Sequence, residues 1–181
     1  MNLVEPIRSK ESVNDVKRVL RQDSTRNLLL FLLGINTGLR VSDLLSLKVK
    51  DVKGKDFVQI REKKTNKIKR FPLPQGIKKF LEEYIENQPL NRYLFKSRKE
   101  YNKPISRIQA YRIITEACNV IGIDNVGTHS LRKTFGYHFY KRTKDIALLQ
   151  KILNHSSQDI TLRYIGLTQE VIDDKLMAFD L

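Results

Sequence analysis

The sequence predicts a mainly helical domain with one small antiparallel β-sheet, an α+β fold in 181 residues. Three observations lead there. Apolar residues recur at helical spacing through most of the chain, and one stretch alone, residues 52–73, alternates as strands do. No repeat, low-complexity linker or Pro- or Gly-rich boundary divides the chain. With 40% hydrophobic residues it buries one real core and is too short for two ordinary domains.

The elements follow in order. The segment SKESVNDVKRVL sets serine ahead of Val13, Val16, Val19 and Leu20, which share a face, so a capped amphipathic helix is expected. Ser24 opens a second helix whose run Leu28 to Leu33 is apolar all round, the pattern of a helix buried at the domain centre, with Gly38 as its stop. A short helix is expected in RVSDLLSL. DFVQI and KIKRFPL read as strands, with Gly54 and KKTNK as the turns of the single sheet. Helical patterns return in GIKKFLEEYIEN, SRIQAYRIITEACNVIG, SLRKTFGYHFYKRT and IALLQKILNH, with breaks at Pro104 and Gly122.

Lys and Arg number 34 against 20 Asp and Glu, a net charge of +14 that attracts polyanions, nucleic acid first among them. Cys118 is the single cysteine and lies in an apolar helical run, so a buried, reduced thiol and a cytoplasmic location are expected. The N-terminal MNLVEPIRSKE carries charges where a signal peptide needs an apolar core, and the longest apolar run, LLLFLLG, is far below membrane-spanning length. No metal-ligand cluster is apparent, and no cofactor or metal is expected.

Candidate chemistry begins with GTHSLRKTF. On a helix, His129 and Arg132 share a face and can address one anion while Leu131 and Phe135 turn inward. A phosphate suits them: the guanidinium binds two non-bridging oxygens, and the imidazole donates to a third or shuttles a proton. In NTGLRVSDLLSL, Arg40 is the only charge in a tight turn between apolar helices. Either Asp43, one turn on, neutralises it, or it points into a site that holds an anion. Further on, His155 precedes a Ser-rich turn, and Tyr164 follows nine residues later.

In chain order, Arg40, Lys64, His129, Arg132, His155 and Tyr164 have the order and approximate spacing of one known active site. The stretches TGLRVSDLLSL, KKTNKIKRFPL, HSLRKTF and LNHSSQDITLRYI resemble the tyrosine recombinases, the family of phage-type integrases and chromosome-dimer resolving recombinases. The likeness runs from about Ser9 to about Thr168. It implies a catalytic domain of the DNA breaking-rejoining type that acts on double-stranded DNA through a 3′-phosphotyrosyl intermediate. Tyr164 would be the nucleophile, Arg40 and Arg132 would clamp the phosphate, and Lys64 would protonate the leaving 5′ oxygen. His129 would help move the tyrosine's proton, His155 would hydrogen-bond the phosphate, and Asp43 would orient Arg40 or His129. Lys63 is adjacent, but the distance back from FPL fits Lys64 better.

Family members usually carry a separate core-binding domain ahead of the catalytic one, which this sequence lacks. Lys133 stands where many members have a second histidine, and Asn154 where glycine is usual. Lys63, Arg107, Arg112 and Lys133 are the candidates for DNA contact. The tail 168–181, TQEVIDDKLMAFDL, is expected to be a docking helix: in the family it packs on a neighbouring subunit, within a homo-tetramer on DNA, and otherwise it folds back on its own domain. An accessory DNA-bending or excision protein belongs among the partners the resemblance implies. The alternatives are a DNA-binding regulator of the same fold that does not cut, and a type IB topoisomerase that swivels and reseals one strand.

Overall fold

The computed structural model describes residues 4–167 together with Asp173, Leu176, Met177 and Phe179. Helix α1 (Lys10–Asp23) starts where the Ser9 hydroxyl accepts from the backbone N–H of Glu11 and Ser12, satisfying two donors that the first turn leaves open. It buries Val13, Val16 and Leu20 against α2 (Thr25–Thr37). The all-apolar α2 is the centre of the domain, and Leu28, Leu29, Leu30, Phe31 and Leu33 are each 1% exposed or less. It packs on α1, on α5 (Gln75–Ile85) and on α7 (Thr128–Thr143). Gly38 ends it in the left-handed region at φ 60°, and a Cβ there would also stand 2.5 Å from the Phe135 ring.

Two short helices follow, α3 (Val41–Leu44), as expected, and α4 (Val49–Val52), which the sequence reading did not include because four residues are too few to show periodicity. Strands β1 (Phe57–Arg61) and β2 (Ile68–Pro72) form the two-stranded antiparallel sheet. Val58 pairs with Phe71 and Ile60 with Lys69, so these four share the side that faces the core, and Glu62 continues that side one pair farther on. Beyond α5 come α6 (Arg107–Asn119), capped by Ser106, then α7, α8 (Ile146–Leu153) and α9 (Gln158–Tyr164). The sequence shows only a Ser-rich turn ahead of Tyr164, and in the structure that turn opens helix α9, with the Ser157 hydroxyl as its cap, accepting from Ile160 N–H.

The core has two parts. The main one gathers α1 to α6, the sheet and Leu131 around α2. A small second cluster of Leu149, Leu153 and Ile165 lies between α7, α8 and α9, with Phe135, Tyr140 and Tyr164 packed against it. The close fit of α7 to this cluster depends on Gly136, where a Cβ would meet Ile165 Cγ2 at 2.7 Å. The tail 168–181, expected to be a docking helix, falls mostly outside the described residues. No helix among them is long and apolar enough to cross a membrane.

Candidate active site

The turn after α2 aims Arg40 inward: Gly38 reverses the chain, and Arg40 sits in extended backbone as the cap of α3. Its guanidinium does not pair with Asp43, the partner the sequence suggested. It pairs with Glu62, at 2.9 Å from Nη1 to Oε1, and Glu62 is only 2% exposed. The physical reason is reach. The hairpin lays the core-facing side of the sheet over the α2–α3 turn, and Glu62 arrives there from 22 residues away in sequence. Burial pushes the Glu62 carboxyl up, but the Thr65 hydroxyl, donating at 2.6 Å, and Arg40 outweigh it and hold the group below the usual carboxylate range. Asp43 is buried and accepts from the Lys63 backbone N–H at 3.0 Å, so it anchors the end of the hairpin and leaves its second oxygen without a hydrogen bond.

Arg132, on α7, is 3% exposed and spans both parts of the core. It donates through Nη1 to the Gly38 carbonyl on the α2 side and through Nη2 to the Leu153 carbonyl at the end of α8. Both partners are neutral, so its charge remains available to an anion. On the hairpin, Lys69 turns its ammonium inward beside the same groups. Burial first, then the charge of Arg132, pulls it down to about 8.

Helix α9 brings Tyr164 to this centre. The hydroxyl is buried, and burial raises its pKa while the charges of Arg132 and then Arg40 pull it back. The phenol is protonated at neutral pH, with two cations beside it. The His155 ring meets the Tyr164 ring edge-on, centroids 5.0 Å apart. Burial, followed by the charges of Arg132 and Arg40, lowers His155 to about 4, so the imidazole is neutral. Its Nδ1 lies 3.1 Å from the Thr161 hydroxyl, which gives its own proton to the Ser157 carbonyl. The imidazole proton is therefore on Nδ1, and Nε2 carries a lone pair.

In front of this inner group lies an open cleft of about 980 Å³, with Arg40, Lys63, Lys64, Arg107 and His129 along its wall. His129 is exposed there. Burial, and then Arg132 foremost among the neighbouring cations, lowers its pKa. Of the expected catalytic residues, Arg40, Arg132, His155 and Tyr164 meet in the inner group, while Lys64 and His129 stand in the cleft. His129 and Arg132 thus reach the centre at different depths, although they share a helical face. Arg107 lines the cleft; Arg112 is exposed on α6 and does not. Lys133, expected on DNA, is instead only 7% exposed, its ammonium 5.4 Å from the centre of the Tyr164 ring. At that position on α7 the side chain points into the domain and lies over the Tyr164 ring, since a cation is attracted to an aromatic face.

The sequence reading missed Glu62, Lys69 and Thr161. A signal existed for the first two: strand alternation carried one residue beyond DFVQI places Glu62 on the side of Val58, and the pairing of the strands places Lys69 there as well. Nothing in the order of residues marks Thr161 as a partner of His155.

Residues 9–170 match the model of the phage integrase family. The chain is 52% identical over 170 residues to the probable integrase/recombinase YoeC of Bacillus subtilis, covering 94% of this chain and 93% of that protein. It is 34% identical over 179 residues to the tyrosine recombinase XerA of Pyrococcus furiosus, covering 96% of this chain and 61% of that longer protein. Among solved structures, a XerA recombinase superposes with TM-score 0.77 at 24% identity, over 96% of this chain and 64% of that one. A lambda integrase tetramer bound to a Holliday junction gives 0.72 at 18%, over 92% and 50%. At such identities the structural likeness speaks for the fold.

Proposed function

The chain belongs to the phage integrase family, and from that premise we propose that it is the catalytic domain of a site-specific DNA recombinase that cuts and rejoins strands through Tyr164. The single observation that carries this reading is the convergence, from four separate elements, of a tyrosine whose hydroxyl is buried, two arginines and a neutral histidine. The phenolic oxygen bonds to phosphorus, the P–O5′ bond breaks, and the 3′ phosphate stays on the enzyme. Lys64 in the cleft supplies the proton that the leaving 5′ oxygen needs, and Arg40 and Arg132 stabilise the charge that grows on the non-bridging oxygens. A 5′ hydroxyl of the partner strand reverses the step, restoring the tyrosine. The phosphodiester is exchanged without a high-energy cofactor.

The tyrosine's proton passes to a neutral imidazole. The family pattern implies His129. His155 is favoured by a specific observation, its edge-on contact with Tyr164 and its unprotonated Nε2, and after taking the proton it would donate to the phosphate. Single-turnover cleavage separates the two: the variant that lacks the acceptor loses rate at neutral pH and recovers it as pH rises, because hydroxide then removes the proton.

Double-stranded DNA meets the cleft, where Lys63 and Arg107 contact phosphates, as does Arg112 from outside its wall, and it does so in the cytoplasm. On that DNA the chain assembles as a tetramer through residues 168–181; the exposure of Leu176, Met177 and Phe179 supports an apolar contact with a neighbouring copy. The test of function is a nicked suicide duplex of candidate attachment DNA, with Tyr164→Phe as control. A denaturant-resistant adduct that the phenylalanine variant fails to form is the expected result. DNA binding with no adduct from the unaltered chain would point to a regulator that does not cut.

A further inference from the structure

We propose that Lys69 is a third cation for the scissile phosphate, an ammonium stored on the core-facing side of the hairpin and left without an acceptor until a phosphodiester enters between Arg40 and Arg132. The inference rests on the recombinase reading and adds to it a residue that does not belong to the motif set from which that reading came.

The first support is placement. Lys69 is opposite Ile60 and adjacent in register to the buried pair Val58 and Phe71, a position where strand alternation calls for an apolar side chain. A lysine there must bury its ammonium, which is costly without a compensating partner. Its Nζ is nevertheless buried and makes no hydrogen bond.

The second support is the charge balance. The groups that face Lys69 are Arg132 from α7, Glu62 from the end of the hairpin, Arg40 from the turn before α3, and Asp43 from α3. Three cations thus share a buried centre with two carboxylates. Glu62 is paired with Arg40 and Thr65, one oxygen of Asp43 accepts from the Lys63 N–H while the other makes no hydrogen bond, and Arg132 donates to the Gly38 and Leu153 carbonyls. His155 and Tyr164 add no charge at neutral pH. The centre is left with one positive charge in excess, and a phosphodiester carries one negative charge. The depressed pKa of Lys69, about 8, follows first from burial of the ammonium and then from the charge of Arg132, so the group is held desolvated and beside a like charge before the anion arrives.

A phosphate monoanion entering beside Arg40 reverses this. It favours the charged form of Lys69, raises its pKa, and draws in a proton wherever the free protein is partly deprotonated. With a free-state value of about 8, binding at about pH 8 takes up about half a proton per complex. A lysine that only fills space, or that pairs permanently with Asp43, produces no such uptake.

The experiment measures the heat of binding duplex DNA of candidate attachment sequence to the full chain at about pH 8, in buffers of different ionisation enthalpy. The buffer dependence counts the protons. The comparison is with Lys69→Met and Lys69→Arg, each checked for fold by circular dichroism. The unaltered chain is expected to take up protons, and both variants to lose that uptake, since methionine cannot bind a proton and arginine never releases one. In single-turnover cleavage of the nicked duplex, Lys69→Met should form adduct about tenfold to a hundredfold more slowly, the range for one charge-assisted hydrogen bond, and Lys69→Arg should recover most of that loss. Proton uptake that persists in Lys69→Arg, or that is absent from the unaltered chain, overturns the proposal, as does a Lys69→Met variant that folds and cleaves at the full rate. Should the unaltered chain form no adduct at all, the recombinase reading fails, while the proton count still decides whether Lys69 meets a phosphate.

Discussion

The main core and the small cluster between α7, α8 and α9 hold two halves of one centre by different means. Arg40 and the hairpin rest on a large apolar mass around α2, where an interior residue has neighbours on every side. Tyr164 and His155 rest on α9 and the end of α8, whose fully buried support is Leu149, Leu153 and Ile165. Arg40 is therefore fixed by the part of the molecule that is hardest to deform, and Tyr164 by a part that little apolar burial secures. Arg132 joins the two, with one hydrogen bond to each side.

The largest effect should come from the main core. Leu30→Ala removes a fully buried side chain at the centre of α2 and is expected to cost about 2–5 kcal/mol in denaturant unfolding. Leu149→Ala, in the small cluster, should cost less, because a thin layer collapses more readily around a cavity. Equal costs would break the comparison. Next comes the joint itself: Arg132→Met should slow adduct formation about a hundredfold to a thousandfold. It should also speed amide hydrogen exchange in α8 and α9 while leaving α2 protected, since only the small cluster depends on that tie. Uniform loss of protection would show that the two regions unfold as one.

Gly136→Ala sharpens the contrast from the other side. Its added methyl meets Ile165 at 2.7 Å, next to Tyr164, so overpacking of about 1–3 kcal/mol is expected, together with slower adduct formation and unchanged DNA affinity. The smallest effect concerns pH. His155 has a folded pKa of about 4 against an ordinary 6.5, so as pH falls through that interval the unfolded chain takes up a proton that the folded chain refuses. Stability should decline from about pH 6.5 toward about pH 4, and His155→Gln should flatten part of the slope in thermal melts recorded across that range. Glu62 acts in the same direction at lower pH, because its depressed value favours the folded state only while it is ionised.

Local chemistry made much of the molecule legible. The apolar run of α2, the serine cap of α1, the stop at Gly38 and the alternation of the two strands are each written in neighbouring residues, and each appears where the sequence placed it. The short elements were not legible. Helix α4 is too brief for a period, and α9 carries a turn signal at its start that hides the helix behind it. Among the site residues, the order of Arg40, Lys64, His129, Arg132, His155 and Tyr164 could be read from spacing, but their partners could not. Asp43 stands one turn from Arg40 and is not its counter-ion, whereas Glu62, far away in the chain, is.

By itself, then, the sequence determined the helical class, the single hairpin, the basic balance and the set of reactive side chains, because these depend on residue type and on short-range periodicity. Tertiary structure alone decided which carboxylate neutralises Arg40, why Lys133 lies against Tyr164 and away from the surface, which nitrogen of His155 carries the proton, and how the Lys69 ammonium came to be buried near two arginines. Each of those outcomes depends on segments distant in the chain sharing a few ångströms of space, where burial and charge act together, and no periodicity along the chain encodes that.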